Sequence, residues 1–201
     1  MKSVLRKTLR SARRSLSTAE HRRRSTLAAQ AVATLPMFAA GKRIALYLPH
    51  DHETDTAALL AAARHRGLEV FVPVVVDRRR RLMRFYPLTG KLRRGAYGIS
   101  IPRALRCPIA PRWLDLIVVP MVGVDPSGCR LGMGAGFYDR ALSFRRHLRV
   151  RMGPHVVGLA FDLQRTLQPF ADPWDLRVDS VATESGLRRM TANFDERKRD
   201  T

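Results

Sequence analysis

The chain has 201 residues, 45% of them hydrophobic, which is enough material for one compact domain with a sizeable core. Its two cysteines exclude a disulfide-stapled scaffold, and no apolar run approaches the roughly 18 residues that a membrane-spanning helix needs. The formal net charge of +20 makes nucleic acid a candidate partner, but the basic residues are spread along the chain without interleaved aromatics, which favours solvated faces.

Two helices are predicted at the start of the chain. Apolar residues at i, i+4 spacing predict the first over about 4–14. Ser17 and Glu20 form a capping box, which predicts a second helix that runs to about Leu35, before Pro36. The opening residues are also rich in Lys and Arg and contain no acid, which is the composition of a mitochondrial transit peptide.

Short strands and helices then alternate. Strands are predicted over 43–48, 69–76, 82–86, 116–119 and 155–161, and helices over 56–66 and 138–149. The strands over 69–76 and 82–86 are expected to form a hairpin. The order predicts a single-domain, three-layer α/β/α fold with a mainly parallel sheet, whose ligands bind at the carboxyl ends of the strands. We assign 1–189 to this domain and 190–201 to a charged, disordered tail.

The most informative segment is RLGMGAGFYDR, residues 130–140. Its alternating glycines let backbone N–H groups converge on phosphate oxygens, Arg130 adds a full positive charge, and Asp139 is placed to hold Mg²⁺. As a bare pattern, however, G-x-G-x-G matches neither the dinucleotide fingerprint nor a Walker loop. On pattern alone a structural turn stays ahead of a phosphate loop.

Together with Val119-Pro120, this segment resembles the signature of the 5-formyltetrahydrofolate cyclo-ligase family. Supporting segments occur in family order at 2–17, 47–56, 83–88, 97–99, 158–164 and 173–184, so the resemblance covers about residues 2–185. It implies an enzyme that closes 5-formyltetrahydrofolate to 5,10-methenyltetrahydrofolate, with ATP as co-substrate and Mg²⁺ as cofactor. We expect a cytoplasmic monomer that acts on small molecules and has no membrane partner.

The resemblance also implies the site residues. Those for ATP are Lys2, Arg6, Arg130, Leu131, Gly132, Met133, Gly134, Ala135, Gly136, Phe137 and Tyr138. Those for the folate are Leu48, Glu53, Tyr97, Met133, Gly134, Ala135, Gly136 and Phe137. Asp139 and Asp175 match the Mg²⁺ ligands, and Lys2, Arg6 and Arg130 would stabilise charge on the phosphoryl group without a side-chain nucleophile. Because the basic start thus belongs to the enzyme, we reject the transit-peptide interpretation.

Each assignment has a structural alternative. Lys2 and Arg6 are also typical of solvated charges on a first helix, Glu53 of a helix start, and Asp175 of an ordinary turn. Two functional alternatives stay open as well. One is a basic nucleic-acid-binding protein, motivated by the charge, and the other is a catalytically inactive relative that binds folate or nucleotide.

Overall fold

The computed structural model describes residues 1–147, 153–172 and 174–190. The α-helices are α1 (Lys2–Arg14), α2 (Thr18–Val32), α3 (Ala57–His65) and α4 (Phe137–Ala141). The strands are β1 (Arg43–Ala45), β2 (Glu69–Asp77), β3 (Leu82–Pro87), β4 (Leu92–Arg94), β5 (Ser100–Pro102), β6 (Leu116–Pro120), β7 (Gly123–Val124), β8 (Arg130–Leu131), β9 (His155–Leu159), β10 (Ser180–Thr183) and β11 (Gly186–Arg189). Single 3₁₀ turns lie at Ala96–Gly98, Pro111–Trp113, Ser143–His147 and Asp162–Gln164.

Within the described residues, seven strands form the central sheet in the order β11-β10-β9-β6-β1-β2-β3. From β10 to β2 the neighbouring strands are parallel, and Ile44 of β1 pairs with Val70 on one side and with Leu116 on the other. The edge strands β3 and β11 pair antiparallel with β2 and β10. The predicted mainly parallel sheet and the β2–β3 hairpin are therefore confirmed.

Helices and loops cover both faces of the sheet. On one face, Ala28 of α2 and Leu59 of α3 pack in the same core cluster as Leu116. The next residue of that strand, Ile117, points to the opposite face because side chains alternate along a strand. There it packs in a second cluster with Leu142, which follows α4. The predicted three-layer arrangement is confirmed, and its inner strands are buried on both faces.

Several sequence-based boundaries differ from the structure, among them the end of one strand and the end of one helix. Strand β1 ends at Ala45, three residues before the predicted end. The single helix predicted over 138–149 is wrong: α4 ends at Ala141, and a 3₁₀ turn follows over Ser143–His147. Leu142 leaves helical geometry there (φ −105°, ψ 13°) and is fully buried, so tertiary packing overrides local helical propensity. The last two residues of that prediction lie outside the described residues.

The predicted tail also lies outside the described residues, except for Met190. The N–H of Met190 donates to the carbonyl oxygen of Asp179, and its side chain packs against the second core cluster. Across the described ranges, no helix has the length and hydropathy needed to span a membrane.

Candidate functional site

The glycine-containing segment follows a strand pair that is fixed by a buried aspartate. Asp125 Oδ1 accepts hydrogen bonds from the N–H groups of Ser127 and Cys129, and its Oδ2 accepts one from the N–H of Phe170. This tight turn joins β7 to β8, so Arg130 emerges next to the carboxyl end of β6. Ligand sites of parallel sheets lie at this edge.

Arg130 is buried at the base of this segment, with 6% of its surface exposed. Its Nη1 donates to the carbonyl oxygen of Pro120 at 3.1 Å, and its Nη2 lies 3.3 Å from Asp139 Oδ2. The guanidinium also stacks over the Tyr138 ring, with its carbon 5.1 Å from the ring centroid. Its Nε is buried without a hydrogen-bond partner among the described residues. The result is a full positive charge held rigidly at the edge of the sheet.

The N-terminal half of α1 contacts the glycine segment and the aspartates next to it. Lys2 Nζ lies 2.5 Å from carboxylate oxygens of both Asp172 and Asp175. Burial alone would lower the pKa of Lys2, but the hydrogen bonds to these two aspartates outweigh it and raise the pKa above its ordinary value. Arg6 Nε donates to the carbonyl oxygen of Gly132 at 2.8 Å. The basic start of the chain is therefore built into the fold.

These groups line one open cleft of about 420 Å³. Its lining includes these residues from the sequence-based assignment: Lys2, Arg6, Arg130, Leu131, Gly132, Gly134, Gly136, Asp139 and Asp175. Residues from separate stretches of the chain thus meet where the sequence predicted a phosphate site. Met133, Ala135, Phe137 and Tyr138 belong to the same segment, but they are not part of this lining.

The cleft also contains residues that the sequence did not indicate: Arg81, Arg140, Ser143, Arg146, Asp172 and Trp174. Arg81 lies across from Gly136, although the spread of basic residues along the sequence favoured solvated faces. Asp172 and Trp174 lie just before Asp175, the residue of this stretch that the resemblance implies as a Mg²⁺ ligand. The added arginines increase the positive charge of the cleft, which favours an anionic ligand.

Glu53 lies in the loop that follows β1, the neighbour of β6 in the sheet. Because these strands are parallel, their carboxyl ends, and hence Glu53 and Arg130, lie at the same edge. Burial raises the pKa of Glu53 from its ordinary 4.5 to about 7, while a hydrogen bond from the His50 N–H and the charges of Arg13 and Arg130 lower it to a smaller extent. A carboxyl group with this pKa changes its charge near neutral pH and is a candidate functional group.

Tyr97 lies beside the glycine segment. Its ring meets the ring of Phe137 edge to face at 6.1 Å, and the guanidinium of Arg78 lies 4.9 Å from its centroid. Half of the Tyr97 surface is exposed, and its φ of 58° is unusual for a residue with a side chain. This exposed ring is available for stacking on a planar ligand. Leu48, by contrast, packs against the core cluster around Ile101.

Comparison with known proteins identifies relatives along most of the chain. Residues 1–184 match the 5-formyltetrahydrofolate cyclo-ligase family. The 5-formyltetrahydrofolate cyclo-ligase of Escherichia coli K12 is 29% identical over 180 residues, which cover 88% of this chain and 97% of that protein. The enzyme of the same name from Mycolicibacterium smegmatis is 35% identical over 71% of this chain and 74% of its own length.

Solved structures agree with these sequence matches. The NMR structure of Aquifex aeolicus 5,10-methenyltetrahydrofolate synthetase superposes with a TM-score of 0.79 at 34% identity, covering 94% of this chain and 92% of that one. The synthetase from Mycoplasma pneumoniae gives a TM-score of 0.70 at 25% identity, covering 91% and 98% of the two chains. The similarity therefore extends over nearly the whole fold, including the part of the chain that carries the glycine segment and Glu53.

Proposed function

The chain belongs to the 5-formyltetrahydrofolate cyclo-ligase family, and we propose that it closes 5-formyltetrahydrofolate to 5,10-methenyltetrahydrofolate while ATP is converted to ADP and phosphate. The main structural support is the convergence of Lys2, Arg6, Arg130 and the glycine segment on one cleft. Cytoplasmic location and a monomeric state stay predictions.

The chemistry requires activation of a poor leaving group. The formyl group on N5 is amide-like, so direct attack by N10 would have to expel its oxygen. In the proposed reaction, the γ-phosphoryl group of ATP is transferred to the formyl oxygen, and the bond to ADP breaks. N10 then attacks the formyl carbon with its lone pair and loses its proton. The C–O bond breaks, and its electron pair leaves with inorganic phosphate.

Such a reaction needs positioning and charge neutralisation more than covalent catalysis by the protein. We assign the phosphate oxygens of ATP to the N–H groups around Gly132, Gly134 and Gly136 and to the charges of Lys2 and Arg6. Arg130 lines the same cleft. The long contact between its Nη2 and Asp139 leaves hydrogen-bonding capacity that phosphate oxygens would use.

The residues present also fit a Mg²⁺ ion. Asp139 and Asp175 line the cleft, and Mg²⁺ in phosphoryl-transfer sites is commonly held by one or two carboxylates together with substrate phosphates. Each carboxylate is oriented by a main-chain group: Asp139 Oδ1 accepts from the N–H of Leu176, and Asp175 Oδ2 accepts from the N–H of Asp172. When bound, the ion would offset negative charge on the transferred phosphoryl group.

The glycine at position 132 provides a direct test of the ATP site. A Cβ there would come within 2.8–3.0 Å of the Arg130 guanidinium, closer than side-chain atoms pack. The variant Gly132→Ala should therefore displace Arg130 and lower kcat/KM for ATP by roughly tenfold or more. Steady-state kinetics with varied MgATP would measure this.

A matched control for this variant is Gly90→Ala. Gly90 has φ of +66°, and an added methyl group there would have nothing within 4 Å, so its substitution tests only the backbone cost of adding a Cβ. Equal kinetic losses in the two variants would contradict the assigned role of Gly132.

Glu53 is assigned to the folate, whose pterin ring presents N–H donors to a carboxylate. Because the pKa of free Glu53 is raised to about 7, the ionised form that accepts these hydrogen bonds is depleted at lower pH. The Kd for 5-formyltetrahydrofolate should therefore rise as pH falls below 7. Glu53→Gln should weaken binding most above pH 7 and should remove most of this pH dependence. Calorimetric titration between about pH 5.5 and 8.5, a range that extends roughly one to two pH units on either side of that pKa, would measure both effects.

The same pKa predicts the pH dependence of stability. A raised pKa means that the stabilising contribution of neutral Glu53 is present below about pH 4.5 and is lost as pH rises through about 7. In unliganded protein, the free energy of unfolding of the wild type should fall relative to Glu53→Gln over this window, by up to about 3 kcal/mol. If the free energies of unfolding of the wild type and of Glu53→Gln change with pH in the same way, Glu53 is not held in this environment.

The activity itself is tested by incubating purified protein with 5-formyltetrahydrofolate and MgATP and following the near-ultraviolet absorbance of the methenyl product. We expect product only when both ATP and Mg²⁺ are present. If well-folded protein gives no product, the proposal is wrong, and salt-dependent binding to nucleic acid becomes the next measurement.

A further inference from the structure

Three arginines of α1 converge on one aspartate in the loop that carries Glu53. Arg10 donates to Asp51 Oδ2 through Nη2 at 2.7 Å, and Arg14 donates to Asp51 Oδ1 through Nε at 3.0 Å. Arg13 donates to the main-chain oxygen of Asp51 at 2.6 Å and lies 3.6 Å from its carboxylate. With 11% of its side chain exposed, Asp51 is largely enclosed by these groups. We refer to Arg10, Arg13, Arg14 and Asp51 as the arginine clamp.

Arg13 anchors the clamp in the interior. It is 1% exposed, and its Nη1 points to the carbonyl oxygen of Met121 at 3.4 Å, just after the carboxyl end of β6. A buried guanidinium is costly unless it is paired, and Asp51 supplies that pairing through its main-chain oxygen and its carboxylate. The clamp therefore ties the Glu53 loop both to α1 and to the central sheet.

The loop needs such a restraint because its backbone is strained. Asp51 and His52 both have positive φ, of 52° and 57°, a region that residues with a Cβ rarely adopt. Next to them, His21 Nε2 lies 3.1 Å from the carbonyl oxygen of Glu53, and the His50 N–H donates to the Glu53 carboxylate. The position of the Glu53 side chain thus depends on a conformation that the clamp holds in place.

The same helix carries two groups of the ATP cleft. Lys2 and Arg6 lie on its first two turns, and the clamp arginines lie on its last two. Between them, Leu9 is buried against Leu131, the residue that follows Arg130. A helix of this length is a rigid rod of about 20 Å, so displacement at one end is transmitted to the other. One element therefore positions residues assigned to both substrates.

From this arrangement we infer that Asp51 is a positioning residue that couples the folate and ATP sites through α1. Nucleotide that engages Lys2 and Arg6 fixes the helix, and the clamp then holds the Glu53 loop in its folate-binding conformation. This inference rests on the proposed function, because it uses the assignments of Glu53, Lys2 and Arg6. It adds that each substrate raises the affinity for the other, since such coupling is reciprocal.

The test is the affinity for 5-formyltetrahydrofolate with and without saturating Mg²⁺ and a non-hydrolysable ATP analogue, measured by calorimetry. We expect the wild type to bind the folate roughly five- to tenfold more tightly when the analogue is present. We call the Kd for the folate without the analogue divided by the Kd with it the coupling ratio. In Asp51→Asn this ratio should fall close to one. Asparagine has the same shape and tolerates positive φ well, so this variant removes the charge while keeping a residue suited to the backbone conformation.

Two further variants separate positioning from general stability. Arg14→Gln removes the ion pair between Arg14 and Asp51. Because the Arg14 side chain is 51% exposed, this variant should reduce the ratio without unfolding the protein. Glu20→Gln removes ion pairs to Arg23 and Arg24 within α2, which take no part in the clamp, and should leave the ratio unchanged.

The outcomes are distinct. A wild-type ratio of one, or an undiminished ratio in Asp51→Asn, would overturn the inference. Wild-type protein that binds the folate and the analogue but forms no product would instead contradict the proposed function. Loss of the ratio in Glu20→Gln as well would overturn the assignment to the clamp, because the effect would then follow general stability.

Discussion

Replacing Arg130 with glutamine should lower kcat/KM for MgATP by about 10²–10³, a loss typical of removing one fixed electrostatic group from a catalytic site. Arg130 is held by Pro120 and Tyr138 before any ligand arrives, so its charge acts without reorganisation. Glutamine keeps hydrogen-bonding capacity but cannot neutralise charge on the phosphoryl group. Kinetics at varied MgATP and saturating folate would measure the loss.

Two comparisons make this result specific. Arg130→Lys keeps the charge but loses the planar fork, and it should recover part of the activity that Arg130→Gln loses. Arg23→Gln removes an exposed arginine that pairs with Glu20 away from the cleft, and it should change kcat/KM little. Because Arg130 is buried, thermal unfolding of each variant must accompany the kinetics. Near-normal turnover by folded Arg130→Gln would refute the assignment.

The second large effect is expected for Asp139→Asn. This variant can still accept the hydrogen bond from the Leu176 N–H, but it loses a charged ligand for Mg²⁺ and the ionic contact with Arg130. We expect the Mg²⁺ concentration for half-maximal activity to rise by about tenfold or more, and kcat to fall by about a hundredfold. Activity measured as a function of Mg²⁺ at fixed ATP would show both changes.

Asp175→Asn is the companion variant. Its carboxylate pairs with Lys2 and not with Arg130, so a shift in Mg²⁺ dependence shared by the two variants would indicate a common ion. If Asp139→Asn lowers kcat while its Mg²⁺ dependence stays unchanged, Asp139 acts by orienting Arg130 and is not a metal ligand.

The capped start of α2 illustrates how local signals predicted structure. Ser17 accepts the hydrogen bond from the Glu20 N–H, as the capping box indicated, and the β2–β3 hairpin forms in the expected place. The helix predicted after the glycine segment was wrong because burial of Leu142 decides the geometry there. Apolar periodicity also did not identify Arg13 as the most buried residue of α1.

By itself, the sequence determined the order of the elements, the parallel sheet and the family, because hydrophobic periodicity, capping residues and the 130–140 motif are local features. Only the tertiary structure decided which charged groups meet. Lys2 pairs with Asp175 across 173 positions of sequence, and Arg10 pairs with Asp51 across 41. Likewise, the raised pKa of Glu53 follows from burial by distant segments. A one-dimensional pattern cannot specify such contacts, since they depend on how strands and helices pack in three dimensions.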